Sequence, residues 1–125
     1  MKIRELMLSV ALAALVVPVA ATNAVAGGTS GMCGAVPTQS ECQIAHLSFP
    51  GGRLSVDVDI DRKWPYANYR TTWDVWDSQG PTTCKREIWS DDPPGSWTCE
   101  GIHAGPISLT VDKQTPDFAH LGLRW

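Results

Sequence analysis

Cys84-Lys85-Arg86-Glu87-Ile88-Trp89-Ser90-Asp91-Asp92-Pro93-Pro94-Gly95-Ser96-Trp97-Thr98-Cys99 is the stretch that decides the fold. Asp91 to Gly95 is the densest turn signal in the chain. Prolines fix φ, glycine permits positive φ, and aspartates bond back to the backbone at a bend. Each flank carries a tryptophan, a residue suited to a half-buried pleated surface. The segment therefore reads as a hairpin of two strands, with a Cys84–Cys99 disulfide tying it near its open end.

Outward from this hairpin the same two-residue period recurs. Leu54, Val56, Val58 and Ile60 alternate with Ser55, Asp57, Asp59 and Asp61, which predicts a strand with one face buried and one in water. Ala45, Leu47 and Phe49 alternate with His46 and Ser48, and Pro50-Gly51-Gly52 turns that strand. Tyr69, Thr71, Trp73 and Val75 alternate with Arg70, Thr72, Asp74 and Trp76, and Ser78, Gly80 and Pro81 end the run. Ile107, Leu109 and Val111 follow a turn at Gly101–Pro106. Leu121, Leu123 and Trp125 share one face of the last strand. About seven short strands, regular turns and no helical period predict an all-β chain: a small antiparallel β-sandwich with two disulfides.

Gly101-Ile102-His103-Ala104-Gly105-Pro106-Ile107-Ser108-Leu109-Thr110-Val111 is similar to the turn-and-strand of many extracellular immunoglobulin-like and transthyretin-like modules. The resemblance covers these residues alone. It implies an immunoglobulin-like or transthyretin-like sandwich and assigns no site residue.

Residues 1–26 are expected to stand outside the fold. Lys2 and Arg4 precede an apolar run from Leu6 to Ala21, and Ala24-Val25-Ala26 places small residues where a signal peptidase reads. The run falls short of the roughly 20 residues that span hydrocarbon, and Pro18 sits near its end. Cleavage after Ala26, with Ala21 the runner-up, gives a secreted protein with no stable membrane insertion. The domain divides into a flexible leader and stapled loop at 27–43 and a sandwich at 44–125. Without Lys2, Arg4 and Glu5, eight basic residues face twelve acidic ones, a net of −4. That balance argues against nucleic acid, since phosphate binding needs a basic stripe.

Four cysteines in an exported chain predict two disulfides. Cys33 with Cys42, and Cys84 with Cys99, are the local pairs, each across a turn-rich segment. Zinc ligation lacks a Cys-x-x-Cys, and the histidines at 46, 103 and 120 are scattered. Asp57-Val58-Asp59-Ile60-Asp61 resembles the opening of a calcium loop, but Arg62 occupies the position that requires glycine. A solvated acidic strand face explains it, and no metal or organic cofactor is expected. No nucleophile elbow and no His-Glu-x-x-His helix is present, so no enzyme activity is expected.

The surplus is tryptophan, at 64, 73, 76, 89, 97 and 125. Trp73, Trp97 and Trp125 share faces with apolar neighbours and are assigned to the core. Trp76 and Trp89 have the opposite parity to Val75 and Ile88, so they should point outward. Trp64 lies in a loop beside Pro65 and Tyr66. Trp64, Trp76 and Trp89 are the candidate binding residues. Trp76 and Trp89, if on neighbouring strands, would form one platform rimmed by Arg70, Asp74, Lys85 and Glu87. The expected partner is a glycan or a secreted protein. A secreted inhibitor presenting the Cys33–Cys42 loop or the Asp91–Gly95 tip is the alternative, and a small secreted hydrolase the third.

Overall fold

The computed structural model describes residues 26–33, 40–61, 68–113 and 117–125. Strand β1 spans Gly28–Cys33, β2 Glu41–Phe49, β3 Gly52–Asp61 and β4 Arg70–Asp77. Strand β5 spans Gly80–Trp89, β6 Gly95–Ile102, β7 Gly105–Asp112 and β8 Phe118–Arg124. They build two antiparallel four-stranded sheets, ordered β1-β8-β3-β6 and β2-β7-β4-β5. The first is called the front sheet below and the second the back sheet.

The core lies where the alternating apolar positions of both sheets meet. Leu54, Val56, Val58 and Ile60 of β3 are buried, as are Trp73 and Val75 of β4, Ile107, Leu109 and Val111 of β7, and Leu121 and Leu123 of β8. Fully burying one such aliphatic side chain stabilises by about 1.5–3 kcal/mol, so the two central strands of each sheet supply most of the hydrophobic stabilisation. Trp73 and Trp97 pack across the layers with ring centroids 5.1 Å apart. Trp125 is partly buried and meets Phe49 edge-on at 5.4 Å.

Both disulfides are inter-sheet staples. Cys33 of β1 joins Cys42 of β2 (Cα–Cα 5.6 Å), and Cys84 of β5 joins Cys99 of β6 (Cα–Cα 5.8 Å). β1 and β6 are the two edges of the front sheet, and β2 and β5 are the two edges of the back sheet. One bridge therefore clamps each side of the sandwich. The pairing is the expected local one, but its setting differs. β5 and β6 do not pair with each other: the chain crosses between sheets at Asp91–Gly95, so the segment is an arch and not a hairpin.

Among the described strands, the one connection that stays within a sheet is β4 to β5. Asp77 pairs with Gly80 around Ser78 and Gln79, Asp77 Oδ1 accepts from the Gln79 N–H at 2.8 Å, and Gly80 has φ of 112°. Aspartate first and a left-handed glycine last are what a type I turn with a bulge asks for.

Two further expectations need correction. The segment read as a flexible leader contains β1, a strand that pairs with β8 from Gly28 to Cys33 and brings the described strands to eight. The buried face of β2 is set by Cys42 and Ile44, not by Ala45 and Leu47. Ala45 and Leu47 face water, with Leu47 81% exposed, and a bulge between His46 and Phe49 returns Phe49 to the core. The disulfide fixes Cys42 inward, and the two-residue period then carries Leu47 out. The expected signal segment, apart from Ala26, the interior of the Cys33–Cys42 loop, and Trp64 lie outside the described residues.

Candidate functional site

The outer face of the back sheet carries the candidate site. Along β4, Trp73 and Val75 point inward, which sends Arg70, Thr72, Asp74 and Trp76 outward. Register places Asp74 beside Thr110 of β7, and Trp76 beside Ser108. On the other side of β7, Thr110 pairs with Gln43 of β2, and Asp112 with Glu41. The strand between β2 and β4 thus bears short Ser108 and Thr110, while its neighbours bear longer Glu41, Gln43, Asp74 and Trp76. The height difference makes an open trough of about 420 Å³ along β7, lined by these six residues and Asp112. The four residue steps from Ser108 to Asp112 span about 13 Å, and the two flanking strands lie about 10 Å apart.

Trp76 is 46% exposed and walls the trough on the β4 side. Its Nε1 donates to Asp74 Oδ2 at 2.6 Å, which ties the indole back along its own strand. A ring held this way loses little rotamer freedom on meeting a ligand.

Trp89 is also exposed, at 43%, yet it does not join Trp76. It pairs with Arg70 at the far end of the β4–β5 ribbon, whereas Trp76 pairs with Pro81. Six residues along β4 separate the two positions, about 20 Å. The single platform expected from strand adjacency is therefore corrected: parity places both indoles on one face, and register places them at opposite ends. The Arg70 guanidinium also lies 4.8 Å from the Trp89 ring centroid and bonds Glu87 Oε1 at 2.9 Å. One side of Trp89 is thus occupied by the protein's own cation. Lys85, expected on the rim, sits in register with Asp74.

The arch below Trp89 is braced from within. Trp89 N–H donates to Asp92 Oδ2 at 2.9 Å, and Asp92 N–H to Trp89 O at 3.0 Å. Ser90 Oγ donates to Asn68 Oδ1 at 2.7 Å and Asp91 N–H to the same oxygen at 3.0 Å. Asp91, Asp92, Pro93 and Pro94 all remain exposed.

Other polar groups have structural tasks. Asp57, outward on β3, receives Arg124 Nε at 2.7 Å and Nη2 at 2.8 Å, and Ser96 Oγ at 2.5 Å. The Arg124 guanidinium holds its carboxyl below the usual range, against partial burial and with help from Ser96. His103 Nδ1 lies 2.8 Å from Asp77 Oδ2, a histidine–carboxylate pair of the kind hydrolases use. Here the pair knots two turns together. His103 is exposed, Asp77 nearly buried, and the Asp77 carboxylate also takes the N–H groups of His103 and Gln79. Burial pushes the Asp77 carboxyl up, but these bonds outweigh it and the net shift is downward. The neighbouring hydroxyl, Ser78 Oγ, donates to Ala104 O at 2.9 Å and is not aimed at the imidazole.

No protein-family model matches the chain, and no curated protein matches it. Solved structures with a similar arrangement include PliG, a periplasmic inhibitor of g-type lysozyme from Aeromonas hydrophila. It is 11% identical, with 78% of this chain and 83% of that one covered and a TM-score of 0.42. A Bacillus endospore appendage, from a family of disulfide-linked pili, is 13% identical over 81% and 86%, with a TM-score of 0.43. The apo form of BiXyn10A CBM1 is 10% identical over 78% and 72%, with a TM-score of 0.41.

Proposed function

We propose that this protein is a small exported binding module, without catalytic activity of its own, that holds a glycan chain in the trough along β7. The observation that carries the reading is Trp76. It is a half-exposed indole, anchored by Asp74, beside a floor of Ser108 and Thr110 hydroxyls and across from the Gln43 amide. A sugar ring offers an apolar face and a girdle of hydroxyls. The indole can stack on the first, and carboxylate, amide and hydroxyl groups can bond the second. Binding sites of this kind combine apolar surface with a few placed polar groups. The sandwich supports the site rigidly, because β7 and β4 are paired on both sides and their inner faces are core.

Trp89 is assigned no share of this site, since its ring is engaged by Arg70 and lies far from the trough. A glycan array probed with the purified protein and with Trp76→Ala tests the reading. Binding that disappears in the variant while the fold persists supports it. Retention of full binding by Trp76→Ala, or loss only on Trp89→Ala, contradicts it.

A further inference from the structure

We propose that the trough selects a glycan whose sugars carry free amino groups, a linear amino-sugar polymer, over neutral or acidic chains. The inference rests on the reading of the trough as a glycan site, and it comes from the charges the trough holds. Three of its seven lining residues are carboxylates, Glu41, Asp74 and Asp112, and none is basic. Glu41 and Asp112 are direct cross-strand partners on the outer face. Like charges placed opposite each other on a sheet destabilise it. Neither carboxylate forms an ion pair with any described residue.

Three acids elsewhere on the surface are each answered by an arginine. Asp57 is answered by Arg124, Glu100 by Arg53, and Glu87 by Arg70. Lys85 stands in register with Asp74 on β5 but does not pair with it. Asp74 spends its Oδ2 on the Trp76 N–H, a neutral donor, and forms no ion pair with any described residue. The trough is thus a strip of negative potential next to an aromatic wall.

Both features act in the same direction on an amine. A carboxylate attracts an ammonium group, and an indole face attracts it too through the ring quadrupole. Uronic or sulfated chains meet repulsion at the same three positions. Neutral chains can stack on Trp76 and bond the hydroxyls but leave Glu41 and Asp112 without a counter-charge. An amino-sugar chain satisfies all of these groups at once: ring on Trp76, hydroxyls on Ser108, Thr110 and Gln43, amines between Glu41 and Asp112. A basic peptide would share the charge preference but lacks the flat apolar ring face that fits an indole wall.

The test is calorimetric titration of the purified protein with glucosamine oligomers, N-acetylglucosamine oligomers of equal length, neutral xylose oligomers and oligolysine. At low salt the glucosamine oligomer should bind about tenfold more tightly than its acetylated counterpart, the gain expected from two exposed charge contacts. The advantage should shrink as salt rises from about 0.02 M to about 0.5 M, where screening is nearly complete. Glu41→Gln combined with Asp112→Asn should bring the two oligomers to equal affinity. Trp76→Ala should remove binding of both. Equal affinity for the two oligomers overturns the amine preference and leaves the glycan reading standing. Oligolysine binding as tightly as glucosamine oligomer, and indifferent to Trp76→Ala, overturns it in favour of a general cation surface. No binding of any sugar ends both proposals. The salt dependence of the unaltered protein decides the point even if a variant fails to fold.

Discussion

Trp73 and Trp76 stand three residues apart on one strand and should respond very unequally to the same substitution. Trp73 has no exposed surface and packs against Trp97 in the centre of the sandwich, whereas Trp76 is 46% exposed on the outer face. Trp73→Ala removes a fully buried indole and leaves a cavity between two sheets whose backbones are held apart by stapled edges. Large aromatic-to-alanine changes in cores cost about 3–5 kcal/mol. A domain of this size has a total stability of about 5–15 kcal/mol, so the loss is a large fraction. At about 4–8 °C per kcal/mol, the midpoint should fall by more than about 12 °C. Trp76→Ala removes an indole from an open face together with one exposed hydrogen bond to Asp74, and should cost about 1 kcal/mol or less. Differential scanning calorimetry of both variants at neutral pH measures the contrast. Trp73→Phe serves as a milder core variant, because it keeps an aromatic ring, though a smaller one, and removes an Nε1–H that is buried without a partner among the described residues. It should fall between the other two. Equal destabilisation by Trp73→Ala and Trp76→Ala would refute the assignment of faces, and with it the trough.

Replacing Cys84 and Cys99 together by alanine should cost about 3 kcal/mol, the chain-entropy value for a loop of 15 residues, read by denaturant titration. Replacing Cys33 and Cys42, whose separation is 9, should cost slightly less, about 2.6 kcal/mol, in the same titration. Asp77 has its carboxyl pKa lowered in the fold, so the stability it contributes is present above the unfolded carboxylate value near 3.9 and is lost as pH falls through the folded value below it. Asp77→Asn should therefore lower the melting midpoint at pH 7 and flatten its decline in acid. An unchanged acid profile would contradict the proposed turn knot.

How much of this was legible in the sequence depended on whether a signal was local. The run from Leu54 to Ile60 alternates cleanly because β3 is paired on both sides and faces the core along its length, and nothing interrupts its period. Parity likewise set the outward direction of Trp76 and Trp89. Pairing partners were not legible. Asp91 to Gly95 bends the chain equally well whether the next strand returns beside the first or crosses to the other sheet, so an arch looks like a hairpin. Register was hidden for the same reason: nothing in the residues near Trp76 and Trp89 states that one faces Pro81 and the other Arg70. The face of β2 was misread because Leu47 and Phe49 are apolar two positions apart, and the bulge between His46 and Phe49 breaks that rhythm without a glycine or proline to mark it. β1 escaped notice because Gly28 to Gly31 is glycine-rich and polar. Its order comes from the ladder to β8 and from the Cys33 bridge. The trough itself depends on Ser108 and Thr110 being short beside Gln43 and Trp76, a relation between three strands that no single stretch contains.

The most direct test of the central claim is an NMR titration of the isotopically labelled protein with a glucosamine oligomer. The account predicts saturable shifts at the Trp76 indole N–H, the Gln43 side-chain amide and the backbone amides of Ser108 and Thr110, with the Trp89 indole N–H unmoved. Shifts confined to Asp91–Gly95 or to the outer face of the front sheet, with the trough silent, would contradict it.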